Sequence, residues 1–125
     1  MDRIETFKSF IARNPGDPFP RYGLAMEHKT RGELELARAA FQDVLEQFPD
    51  YIPTYLMAGG TLAALGQMDE AAVVFQRGID IAGQRGDAHA KKELESALGD
   101  LDSKVPPIAA GGASSASLKP EERFR

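Results

Sequence analysis

Seven pairs of like residues stand 34 positions apart in one register of this chain, and that repeat limits its fold more than any other feature. Gly32 returns as Gly66, Ala37 as Ala71, Phe41 as Phe75, Gln42 as Gln76 and Leu45 as Ile79. Pro15 and Pro49 keep the same spacing, and Phe7 leads Phe41 by it. A fixed period of this length marks a solenoid, in which each unit covers its apolar face with the next. The unit reads as two helices and a turn. The expected product is a helical repeat scaffold that binds other proteins.

With 125 residues the chain has room for one domain with its own core. It contains no Cys, which removes disulfides, thiolate metal sites and cysteine nucleophiles together. The N-terminal Met1-Asp2-Arg3-Ile4-Glu5 carries an early acid and no apolar run, unlike a secretory signal, and no stretch approaches the ~20 apolar residues of a membrane span. A cytoplasmic protein without membrane contact is expected. The net charge is -4, and residues 102–125 hold four basic and three acidic groups, so the body carries 11 minus 16, or -5. Such a body repels phosphate backbones, and nucleic acid is not an expected partner.

The pattern predicts six helices. Residues 2–13 form the first, with Asp2 and Glu5 spaced as a capping box and Ile4, Phe7, Phe10 and Ile11 on one face. Pro15 stops it, and Asp17 caps a second helix from Pro18 to Thr30. That helix is apolar on two sides, with Leu24, Ala25 and His28 on one and Phe19, Tyr22 and Met26 on the other. A helix that only covers a core needs a single stripe. Gly32 leads into a third helix from Glu33 to Gln47, and Pro49-Asp50 is expected to repeat the stop-and-cap device. A fourth helix spans Ile52 to Leu65. A fifth spans Met68 to Ala82 and ends in a turn from Gly83 to Gly86. Asp87 caps the sixth, Ala88 to Leu101, whose apolar Ala90, Leu94, Ala97, Leu98 and Leu101 alternate with charges as a terminal cap requires. Past Asp102, Pro106-Pro107, Gly111-Gly112 and Ser114-Ser115 offer little to bury, and disorder is expected there.

From residue 2 to about 101 these residues resemble the tetratricopeptide repeat, a 34-residue helix-turn-helix unit. The resemblance implies an all-α fold, a right-handed superhelical array of antiparallel helix pairs with about six helices and a C-terminal capping helix. It divides the chain into a repeat domain, 1–101, and a tail, 102–125. Leu24, Ala25, Ala37, Phe41 and Pro49 match its packing slots in the first copy, and Tyr55, Ala58, Gly59, Leu62, Ala71 and Phe75 in the second. Arg21, His28, Gly78 and Gly83 depart from the pattern.

Such repeats bind partners on a concave surface lined by the first helix of each pair. The resemblance assigns that surface Phe19, Tyr22, Met26 and Lys29, then Pro53, Leu56, Gly60 and Ala63. Tyr22 and Met26 offer adaptable contact area, and Gly60 and Ala63 leave room for a ligand helix or backbone. One group in the family grips the terminal carboxylate of heat-shock chaperones with Asn residues, but those slots hold Gly23 and Met57 here. An apolar helix or extended peptide is the expected occupant, with a second copy of the chain as the alternative.

No constellation supports an enzyme, and no cofactor or metal is expected. His28 has no carboxylate or nucleophile at a supporting helical spacing. His89 and Glu93 lie one turn apart but make only two of about four ligands a closed metal site needs. Gly59-Gly60-Thr61 lacks the strand and lysine of a phosphate loop. Arg85-Gly86-Asp87 reads as a turn glycine before a helix-capping aspartate rather than an adhesion tripeptide. The closing stretch Leu118 to Arg125 has the composition of a short docking motif but no further signal for one.

Overall fold

A computed structural model describes residues 2–104. The chain forms six helices: α1 (Arg3–Arg13), α2 (Pro18–Thr30), α3 (Leu34–Gln47), α4 (Pro53–Ala64), α5 (Met68–Arg85) and α6 (Ala88–Lys104). The tail beyond residue 104 lies outside the described residues.

Each helix packs on the next in chain order, as a solenoid demands. Two further contacts set the curvature, because α4 touches both α2 and α6, while among the described residues no two odd-numbered helices meet. The even helices therefore converge on the concave side. The core between them is centred on Phe41 and Tyr55, both fully buried, with Ala25, Ala37 and Ala71 at the close crossings. Small residues bring the backbones together and the large rings fill what remains, which keeps the interior close-packed. Gly78 serves the same end, since a Cβ there would lie 2.6 Å from Cβ of Tyr55 and 3.0 Å from Cδ1 of Leu94.

The turns follow local chemistry. Asp2 and Asp17 accept hydrogen bonds from the amides of Ile4 and Phe19 at 2.9 and 3.0 Å, and Asp87 accepts one from Ala90 at 3.1 Å. Gly32, Gly66 and Gly86 turn the chain with φ of 79°, 82° and 74°, a conformation that a β-carbon disfavours.

Several local expectations need correction. Asp50 does not cap α4; it pairs with Arg85 at 2.6 Å, and Tyr51 and Ile52 intervene before the helix starts. The bend is held instead by Tyr55, whose hydroxyl donates to the Pro49 carbonyl at 2.6 Å. The fifth helix does not end at Ala82 but runs on to Arg85, because Gly83 lacks the ring that stops a helix at a proline. The sixth runs to Lys104, three residues past Leu101. Phe10 leaves the inner face of α1 and is 43% exposed, with the Arg13 guanidinium 5.2 Å from its ring centroid. His28 does have a carboxylate: Glu33 Oε1 is 2.9 Å from its Nδ1, brought there when the Gly32 turn folds the chain back over the end of α2. Arg21 replaces an aromatic by pairing with Asp43 on α3 at 2.9 Å.

Candidate functional site: a cleft on the concave side

The convergence of α2, α4 and α6 leaves an apolar cleft with two main hollows. The upper one, about 400 Å³, is walled by Tyr22, Ile52, Pro53, Leu56, Met57, Ala90 and Leu94, with Asp87, His89 and Glu93 at its α6 rim. The lower one, about 360 Å³, runs between α4 and α6 over Gly60, Ala63, Ala64 and Ala97, and is closed by Phe75 and Leu101. Leu56 lines both. It also borders an open hollow along α6 beside Lys92, Ser96 and Asp100.

Tyr22 is fixed from behind, its ring centroid 6.1 Å from that of Phe41 and 5.5 Å, edge-on, from that of Tyr51. Burial, and then the neighbouring Tyr51, raise its pKa above the usual tyrosine value. The hydroxyl therefore keeps its proton well beyond neutral pH. At the rim, His89 Nε2 lies 3.5 Å from Glu93 Oε1, and both side chains are exposed. Asp87 spends one carboxylate oxygen on the helix cap.

The eight residues expected on this surface fall into two groups. Tyr22, Pro53 and Leu56 meet in the upper hollow, while Gly60 and Ala63 join Leu56 in the lower one. Phe19, Met26 and Lys29 line neither. Phe19 is 58% exposed at the start of α2, and Met26 packs against the core. Sequence reasoning misses the whole α6 wall, although a signal for it is present. Tyr22, Leu56 and Ala90 are successive steps of 34 and share one hollow, as Ala63 and Ala97 share the other. Treating α6 only as a cap hides its second role.

On the opposite side, the gap between α3 and α5 is smaller, about 200 Å³, and walled by Arg38, Gln42 and Glu70. Among the described residues no three His, Cys, Asp or Glu side chains are placed to hold a metal ion. No helix among them is long and apolar enough to cross a membrane.

An all-α solenoid of paired helices with a cleft along its even helices defines a class of repeat scaffold. The tetratricopeptide repeat family profile matches residues 29–98, and the chain belongs to that family. A tetratricopeptide repeat domain protein of Salinibacter ruber is 33% identical in its crystal structure, with a TM-score of 0.66 over 70% of this chain and 97% of that one. A TPR repeat-containing protein of Pseudomonas aeruginosa is 28% identical over 99 residues, 79% of this chain and 94% of its own length. The TPR2B domain of yeast Sti1, solved in a complex with pHsp70, superposes with a TM-score of 0.76 over 82% of both chains at 13% identity, a likeness of fold alone. Domains of this family generally mediate protein–protein interactions and are typically non-catalytic scaffolds.

Proposed function

We propose that this chain is a cytoplasmic interaction scaffold that holds a peptide or helix of a partner protein in its concave cleft. The observation that carries this reading is the apolar surface shared by Tyr22, Leu56 and Ala90, one residue from each even helix. An apolar anchor in such a cleft gains about 1.5–3 kcal/mol for a fully buried Leu- or Phe-sized side chain. The exposed Asp87, Glu93 and His89 at the rim add polar edges that fix its direction. Capture of a terminal carboxylate by an Asn pair is disfavoured. The Phe7 ring lies over Gly23, one of the two positions such a pair would use.

The test is a photo-crosslinking residue at His89, on the rim, compared with one at Val73, on the outer face. A discrete adduct formed from position 89, absent from 73 and lost when Leu56→Glu is added, is the expected result. An adduct that survives Leu56→Glu means the cleft is not the site. An adduct of twice the chain mass means that a second copy fills it, and the scaffold then acts by self-assembly.

A further inference from the structure

Charge is distributed unevenly around the cleft. No Lys or Arg lines either of its two main hollows, whereas Asp87 and Glu93 both stand on the rim of the upper one. Neither acid is held by a fixed cation. Among the described residues Asp87 has no cationic partner and gives its carboxylate to the Ala90 amide, while Glu93 has only His89, at 3.5 Å and with a side chain 85% exposed. Lys92 borders only the open hollow along α6, beside Asp100. On the α2 side, Asp17 adds to burial in raising the pKa of Tyr51, the ring that backs Tyr22. The mouth of the upper hollow is thus apolar inside and negative at its edge.

The spacing of the hollows adds a second constraint. Pro53 and Gly60 on α4, like Ala90 and Ala97 on α6, stand seven residues apart, so the hollows lie about 10 Å apart at ~1.5 Å per residue. Residues i and i+7 of a helix match that distance on one face. Side chains on one face of an extended strand fall roughly 7 or 13 Å apart and miss it. The floor of the lower hollow lets a helix come close, because a Cβ added at Gly60 meets nothing within 4 Å and its neighbours are alanines.

We propose that the occupant of the cleft is a cationic amphipathic helix of a partner protein, with an apolar side chain in each hollow and Lys or Arg beside the upper one, facing Asp87 and Glu93. The proposal rests on reading the cleft as a binding groove and adds the chemistry of what fills it. The two apolar anchors supply most of the affinity, and the charges supply orientation and choice of partner. A second copy is a poor match. It brings its own net charge of -4, and a two-fold pairing over the cleft sets acids against acids.

The test titrates the full-length chain with three synthetic helical peptides, followed by amide shifts. The first has Leu at positions i and i+7 flanked by Lys and Arg, the second has Glu at the flanking positions, and the third is the basic peptide with Ser at both anchors. The basic Leu peptide should shift Gly60, Ala90 and Ala97 and leave Leu36 and Val73 on the outer helices unmoved. It should bind about three- to tenfold more tightly than its Glu twin, the effect of two exposed charge pairs, and lose that advantage in high salt. Asp87→Asn with Glu93→Gln should abolish the preference, since Asn keeps the helix cap while the charge is gone. Unchanged shifts in α1 to α3 show that this variant stays folded, and Glu93→Lys gives an independent reading by favouring the Glu twin. Equal affinity for the basic and acidic Leu peptides overturns the proposal and leaves the groove reading standing. Equal binding of the Ser peptide, or shifts spread over the outer helices, means that charge alone recruits the peptide, and the proposal fails. No shift with any peptide also overturns it, and the groove reading then depends on the His89 adduct. A dimer in light scattering that Leu56→Glu splits assigns the cleft to a second copy and overturns it as well.

Discussion

The Phe75 ring on α5 lies so close to the backbone of Gly59 on α4 that a Cβ at position 59 would overlap its Cε1, Cδ1 and Cζ. The two helices approach closely at this crossing because the side chain is missing. Gly59→Ala should cost about 1–3 kcal/mol by forcing the ring aside. Its neighbour provides the control: Gly60 is helical and opens onto empty space, so Gly60→Ala should gain up to about 1 kcal/mol from helix propensity. Urea melts of the two variants should shift in opposite directions.

Phe41 occupies the corresponding place one repeat earlier and is fully buried. Phe41→Ala should cost about 3–5 kcal/mol, and Tyr22 should lose the ring that backs it. A denaturant melt showing a loss below about 1 kcal/mol would contradict the repeat register.

Tyr55 is buried and its hydroxyl ties α4 to the Pro49 carbonyl, so Tyr55→Phe should cost about 1 kcal/mol. Its pKa, like those of Tyr22 and Tyr51, is raised chiefly by burial. These are all three tyrosines in the chain. A raised acid pKa means that the folded state holds its proton longer than the unfolded one. The corresponding stability is complete below the unfolded value of about 10 and is lost as pH rises through the folded values. Tyrosinate absorbance should therefore rise later in the native protein than in urea, and melts should weaken on the alkaline side.

No residue of α1 is buried, and a surface ion network helps hold the helix in place. Arg31 reaches Asp2 at 2.8 Å and Glu27 at 3.0 Å, and Arg3 lies 3.5 Å from Glu27. The Ile4 amide and then Arg31 lower the Asp2 pKa, while Arg31 first and then Arg3 lower that of Glu27. Lowered carboxylate pKa values stabilise above the unfolded range near 4 and lose that contribution as pH falls. Arg31→Ala should speed amide exchange in α1 but not in α4 or α5, and acidification of the wild type should have the same local effect.

The repeat is readable in the amino-acid order alone, and the fold follows from it. Residues that return every 34 positions impose the same helix pair twice, and Gly32, Gly66, Asp17 and Asp87 mark turns and caps by chemistry that acts within a few residues. The family resemblance assigns Tyr22, Pro53, Leu56, Gly60 and Ala63 to the concave surface, and these five line the two hollows. Which apolar side chains face one another depends on how the helices pack. Phe19 and Tyr22 lie on one stripe of α2, yet one is exposed and the other is held by Phe41 and Tyr51 from α3 and the following turn. Asp50 reads as a cap but is drawn to Arg85, and His28 gains Glu33 across a turn that helical spacing does not describe. Periodicity gives the face of a helix on which a residue lies. What lies opposite depends on how neighbouring helices converge, as they do at α6, the wall that completes the cleft.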